Sequence, residues 1–216
     1  QDKQLDIDKL PQVAAPTVLD GDKLKPEFSK QGIIMDRVTD AGTTFSLFNM
    51  RDPIVGGYGV EKIALRRAIA MSYSNADEVA QMRLGQAIKA ESMIPPDVVG
   101  YNPTYRSSLA YDIDLANKLL DHYGYKRGAD GYRTMPDGQP LLIKKTIEAA
   151  ALYKIRSEIN KRGLDKIGLR IEFIVGNFAD NMKAATTCKL AMWSSTWNAD
   201  CPDGENFLQL LYGPKA

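Results

Sequence analysis

The chain has 216 residues, with 28 basic and 27 acidic side chains, one histidine and two cysteines. A chain of this size buries about 70% of its unfolded surface, so it needs neither disulfide nor metal to fold. A net charge of +1 with no long basic run argues against nucleic acid as a partner, and one histidine removes multi-histidine metal sites. The same lone histidine weakens any histidine-based triad, and the longest apolar runs fall far short of a spanning helix. With 44% hydrophobic, 25% charged and 8% aromatic residues, the composition is that of a globular α/β domain.

Residues 1–31 are polar and aperiodic, with turn signals at Asp20-Gly21-Asp22 and Lys25-Pro26. They read as short elements around a core defined later. Ile33-Ile34-Met35 and Thr43 to Phe48 are short β-branched or aromatic runs, expected to be strands. After the loop Arg51 to Gly59, Leu65, Ala68, Ile69 and Ser72-Tyr73 share one face of a helix. Asp77 to Leu84 forms a second helical segment that Gly85 stops. Residues 86–110 hold Pro95-Pro96 and Asn102-Pro103 and form a long ordered loop or linker, a place where function often sits.

Tyr111-Asp112 opens the next helix, Ala116, Leu119, Leu120 and Tyr123 line its face, and Gly124 ends it. Gly131 to Met135 and Leu141 to Ile143 flank Pro136-Asp137-Gly138-Gln139, the pattern of a hairpin. Leu152 to Ile167 is helical, with Ile155, Ile159, Gly163 and Ile167 four apart. Leu169 to Ile174 then alternates as a strand, Phe178 to Ala185 is a short helix, Leu190 to Trp193 a buried strand and Glu205 to Leu211 a last helix. Alternation of this kind implies a mixed sheet flanked by helices. The cysteines, Cys188 and Cys201, are not a CxxC pair and have no histidine nearby, which speaks against zinc. Two free buried thiols are the simplest expectation, since a disulfide would require the chain to double back there.

Four constellations bear on function. Gly56-Gly57-Tyr58-Gly59 precedes a helix, but the third glycine of a dinucleotide fingerprint is replaced by Lys62 and no Gly-Lys-Ser/Thr follows. Glu61 in the helix's first turn would also repel a phosphate. His122 lies off the apolar face of its helix beside Asp121 and Lys118, and no G-x-S-x-G elbow accompanies it. The pairs Asp112/Asp114 and Asp203/Glu205 stand at helix starts, where acids are ordinary. Carboxylate-based hydrolysis stays open as an alternative, because separation in space is not visible in a sequence. The segment Trp193 to Gly204 differs: a strand runs into two tryptophans, small polar residues and an acid, then breaks at Pro202-Asp203-Gly204. At a strand end in an α/β sheet such a cluster lies where ligands bind. Trp197 offers a flat apolar wall and Asp200 an acceptor-only carboxylate.

Trp197-Asn198-Ala199-Asp200-Cys201-Pro202-Asp203 followed by Phe207-Leu208 resembles the strand-to-helix motif of extracellular solute-binding proteins, family 5. Other stretches agree in order: Leu65 to Ile69, Ile94-Pro95-Pro96 with Gly100-Tyr101, and Tyr111-Asp112 with Leu119-Leu120 and Gly124-Tyr125. Asp130-Gly131, Pro136 to Leu141 and Lys166 to Phe173 complete the series. The sequence departs from the pattern at Cys201, where tyrosine or asparagine is common.

The resemblance implies one lobe of a two-lobe, type II periplasmic-binding-protein-like fold, with residues 1–44 as a peripheral lead-in, 45–213 as the matching lobe and the other lobe outside this chain. The start at Gln1, without an initiator Met or apolar leader, fits a processed protein or a piece of a longer one. It further implies an exported, periplasmic or membrane-tethered, non-catalytic binder without cofactor or metal. Peptides or similar small solutes and the membrane permease of an ABC importer would be its partners. Asp200 would pair with a ligand's α-amino group, Trp197 would line a side-chain pocket, and Asn198 belongs to the same ligand-binding segment.

Overall fold

The computed structural model describes residues 7–213. At its centre are four strands: β1 (Gly42–Phe48), β2 (Leu142–Glu148), β3 (Arg170–Gly176) and β4 (Met192–Asn198). Their spatial order is β1-β4-β2-β3. β2 runs parallel to both β3 and β4, whereas β1 runs antiparallel to β4, so the sheet is mixed. Around it lie α1 (Val60–Met71), α2 (Ile113–His122), α3 (Ala151–Lys166), α4 (Phe178–Thr186) and the short α5 (Glu205–Leu208). The mixed sheet flanked by helices is the class that the alternation of elements implies.

The helical period places α1 with Ala64, Leu65, Ala68, Ile69 and Met71 inward. Its end is tied to the start of α2, where the Asp112 amide donates to the Met71 carbonyl (2.9 Å). The Asp112 side chain caps α2 by accepting from the Leu115 amide (2.8 Å). Leu65, Leu120, Tyr125, Ile143, Leu164, Ile167 and Leu169 share one core and are almost wholly excluded from water. Each such aliphatic side chain contributes about 1.5–3 kcal/mol by its burial. In the apolar row of α3 the glycine has a reason: a Cβ on Gly163 would run into the Ser72 carbonyl at the end of α1. Only a bare Cα lets the two elements approach so closely.

Five details differ from the sequence expectations. Residues 33–40 form no strand, and Ile34 is 88% exposed, because no neighbouring strand offers that apolar run a ladder. The segment after Ser74 makes one α-turn and then a π-helical turn, Glu78–Met82, before Leu84 and Gly85 reverse the chain with positive φ. The hairpin reduces to its turn: Gly138 bonds back to Met135 and Thr134 bridges Pro140, after which the chain leaves to pair as β2 with β3 and β4. The incoming arm is held away by Arg133, whose buried guanidinium donates to the Ile167 and Tyr125 carbonyls and to Asn117 and Asp121. β4 continues five residues past Trp193, because β1 lies alongside and matches its hydroxyls, Thr44 with Thr196 (2.9 Å) and Ser46 with Ser194 (3.2 Å). Cys188 and Cys201 are free, as expected, but both are exposed rather than buried. One closes α4 with a positive φ, and the other sits in the turn after β4, so neither points into the core.

Candidate functional site

The parallel strands β2, β3 and β4 end at Glu148, Gly176 and Asn198 on one edge of the sheet, the edge where ligands gather in α/β folds. Strand alternation separates two faces. Lys145 reaches Asn160 on α3, so Ile143, Lys145 and the paired Met192 face that helix. Right-handed crossovers in opposite directions put α4 on the other face. There the register brings Phe45 beside Ser195, Leu47 beside Trp193 and Thr43 beside Trp197. Phe45, Leu47, Trp193 and Trp197 stay only half-buried, and α4 buries none of its own residues. Phe178 and Met182 on α4 are 64% and 46% exposed. A crevice of about 590 Å³ opens at the ends of β2 and β3, lined by Glu148, Ala150, Val175, Asn177 and Phe178 among others.

Trp197 and Asp200 are brought together by a residue that sequence inspection passes over. The Trp197 indole Nε1–H donates to Asn206 Oδ1 (2.8 Å), and the Asp200 amide donates to the same oxygen (3.3 Å). Asn206 Nδ2 in turn donates to Asp200 Oδ2 (3.3 Å). The Asp200 carboxylate is exposed. Asn198 does not join this group: alternation turns it to the opposite side of the strand from Trp197, and its amide lies across Gly42, where a Cβ would strike it. The turn below is clamped to the long loop, Val99 donating to Pro202 O (3.1 Å) and Gly204 to Val99 O (2.9 Å). Thr43 Oγ1 fastens the same loop by donating to Met93 O (3.0 Å). The loop 86–110 is therefore a brace for the site's floor. The signal for Asn206 was its place in the first turn of the helix after Pro-Asp-Gly, from which a side chain can reach back.

The other constellations resolve into structure. Around Gly56-Gly57-Tyr58-Gly59 it is carbonyls that converge: Lys62 donates to Pro53 and Ile54, and Arg66 donates to Val55 (2.7 Å) and Gly57 (2.9 Å). Cations serving a loop's own carbonyls are the reverse of an anion cradle. Asp112 caps α2, Asp203 accepts from the Glu205 amide (2.8 Å), and His122 is exposed. Among the described residues no three His, Cys, Asp or Glu side chains form a group that could hold a metal ion, and no helix is long and apolar enough to cross a membrane.

Behind the sheet lies a buried ionic cluster. Glu78 receives Arg156 (2.6 Å), Arg83 (3.4 Å) and the Tyr73 hydroxyl. Burial opposes its ionisation, but the charge of Arg156 and these hydrogen bonds outweigh it and hold the carboxyl below its usual range. Burial, with the charge of Glu78 behind it, pushes the Tyr73 phenol far above its ordinary value. Burial and, after it, the charge of Arg156 push Lys145 from 10.5 down to about 7.

A mixed sheet of this order, with its open site at the strand ends, is the fold of a type II periplasmic binding protein lobe. Solved structures agree in fold: an oligopeptide ABC transporter periplasmic oligopeptide-binding protein from Thermotoga maritima superposes with a TM-score of 0.69 at 19% identity, over 81% of this chain and 33% of that one. NikA from Brucella suis in complex with Fe(III)-EDTA gives 0.64 at 24% identity, over 81% and 34%. DppA from Helicobacter pylori in complex with peptide STSA gives 0.64 at 22%, over 78% and 30%. The profile of bacterial extracellular solute-binding proteins, family 5, matches residues 1–216, and the chain belongs to that family. Among curated relatives, heme-binding protein A of Haemophilus influenzae is 24% identical over 154 residues, 71% of this chain and 26% of that protein. The chain thus spans about a quarter to a third of the length of these relatives.

Proposed function

We propose that this chain is one lobe of a two-lobe, non-catalytic solute-binding protein that captures peptides or similar small solutes outside the cytoplasm and hands them to the membrane permease of an ABC importer. The observation that carries the reading is the Trp197–Asn206–Asp200 group at the end of β4, in a chain of this family. A ligand's α-ammonium, with an ordinary pKa of about 8, is charged at neutral pH and meets the Asp200 carboxylate. Trp197 lines one side-chain pocket and the crevice around Phe178, at the ends of β2 and β3, offers another; Asn198, turned to the other side of β4, is left out of the site. Backbone contacts along an extended peptide are indifferent to side chains and so give breadth of specificity.

The half-covered apolar face around Phe45 and Trp193 supports closure of a second lobe over the ligand, with the ligand stabilising the closed state by its differential affinity. The hydrolase alternative gains no support, since the acids it would use serve helix starts. The test is calorimetry of the full-length protein with tetra-alanine and its N-acetylated form. Asp200→Asn and acetylation should each cost about 2–5 kcal/mol of binding, as for a buried charge pair losing one partner. Unchanged affinity in Asp200→Asn would remove Asp200 from the site. The 216-residue chain alone, presenting one wall of the cleft, should bind tetra-alanine weakly, and submicromolar binding by it would sink the two-lobe account.

A further inference from the structure

We infer that Asn206 is a positioning residue of the ligand site: one side-chain amide locks the Trp197 ring and the Asp200 carboxylate into a single arrangement and so sets the direction from which Asp200 meets a ligand's ammonium. This rests on the reading of Asp200 as the ammonium partner.

The chemistry of the partners fixes which way the amide faces. The Trp197 indole N–H and the Asp200 amide N–H can only donate, so the Asn206 atom between them is its oxygen. With Oδ1 committed to those two donors, Nδ2 is turned toward the Asp200 carboxylate and donates to Oδ2. Among the described residues Asp200 Oδ1 has no partner and is left for a ligand.

No other side chain of similar size performs all three tasks. Leucine would leave the half-buried indole N–H unpaired. Aspartate would keep the acceptor but set a second carboxylate against Asp200. The base that carries Asn206 is itself rigid. Its amide bonds to Asp203 O (3.1 Å), its neighbour Phe207 is fully buried, and Gly204 packs so closely on Val99 O and Ile94 that a Cβ would not fit. A pivot that moves little can hold two groups in register.

The test is a double-mutant cycle in the full-length protein, with tetra-alanine affinity measured for wild type, Asn206→Ala, Asp200→Asn and the double variant. If Asn206 acts through Asp200, Asn206→Ala weakens binding about tenfold when Asp200 is present and less than about twofold in Asp200→Asn. An equal factor in both backgrounds, or no effect in either, overturns the positioning role. Unchanged affinity in Asp200→Asn overturns the reading of Asp200, and the inference falls with it; that outcome is read from the single variant and is not confused with failure of Asn206 alone. Asn206→Asp guards against a folding artefact. It keeps the acceptor for the indole, so Trp197 emission measured in a Trp193→Phe background stays as in wild type. Two facing carboxylates share a proton, so its affinity should vary at least about threefold between pH 5 and 7, where wild type is flat. A flat profile for a folded Asn206→Asp also overturns the inference.

Discussion

Raising the pH from 7 to 9.5 should stabilise this fold, and the reason is Lys145. Its side chain is 2% exposed, and among the described residues its ammonium donates only to Asn160 Oδ1, at 3.2 Å. Glu78, the one carboxylate in the cluster, is already engaged by Arg156, Arg83 and Tyr73. Burial and the charge of Arg156 bring Lys145 to about 7, against 10.5 in the unfolded chain. Below pH 7 both states carry the proton and the folded state bears the whole cost of a buried charge. Between 7 and 10.5 the unfolded chain binds more protons, so stability rises with pH; above 10.5 the cost is gone. At about 1.4 kcal/mol per pH unit, and less near pH 7 where the folded lysine is still half-protonated, 2.5 units give about 3 kcal/mol. Urea unfolding followed by circular dichroism at pH 7, 8, 9 and 9.5 measures it. The range stops there because Tyr73 and Tyr125, both raised by burial, impose the opposite slope once the unfolded phenols ionise. Lys145→Met should abolish the rise and stabilise the protein at pH 6. A flat wild-type profile, or an equal slope in Lys145→Met, refutes the argument.

Gly163→Ala forces a methyl against the Ser72 carbonyl and should cost about 1–3 kcal/mol by overpacking, seen as a lower Tm; a neutral result would mean that α3 can slide along α1. Arg133→Met leaves the Ile167 and Tyr125 carbonyls without their buried donor and should cost about 2–4 kcal/mol in urea unfolding. Asp112→Ala removes the cap of α2 and should cost about 1 kcal/mol, while Asp112→Asn retains most of it.

Much of the architecture is local, and local features were legible. Ala116 and Leu120 at helical spacing, Asp112 before them and Gly124 after them specify α2 without reference to anything distant. β4 shows the limit. Ser194, Ser195 and Thr196 do not read as strand, because their partners Ser46, Phe45 and Thr44 lie some 150 positions away, with |i−j| of 148 and 152 for the two hydroxyl pairs. Lys144 and Lys145 are neighbours of one residue type, and only the pleat, which sends Lys144 outward and Lys145 inward, tells them apart. At the site, Trp197 and Asp200 stood out by residue type. Asn206 did not, since its role depends on the turn at Pro202-Asp203-Gly204 folding back to bring it under Trp197. The crevice at Glu148 and Phe178 needed the strand order, which no sequence pattern supplies.

The chain passes into the sheet at Gly42 and out of it at Asn198, and these two residues are cross-strand neighbours. Just beyond them the Ala199 amide bonds to Ala41 O at 2.8 Å. The two ends of the stretch from β1 to β4 are therefore fastened side by side at one corner of the sheet, and the chain beyond β4 folds back onto the loop 86–110. Asp200 stands one residue outside that fastening.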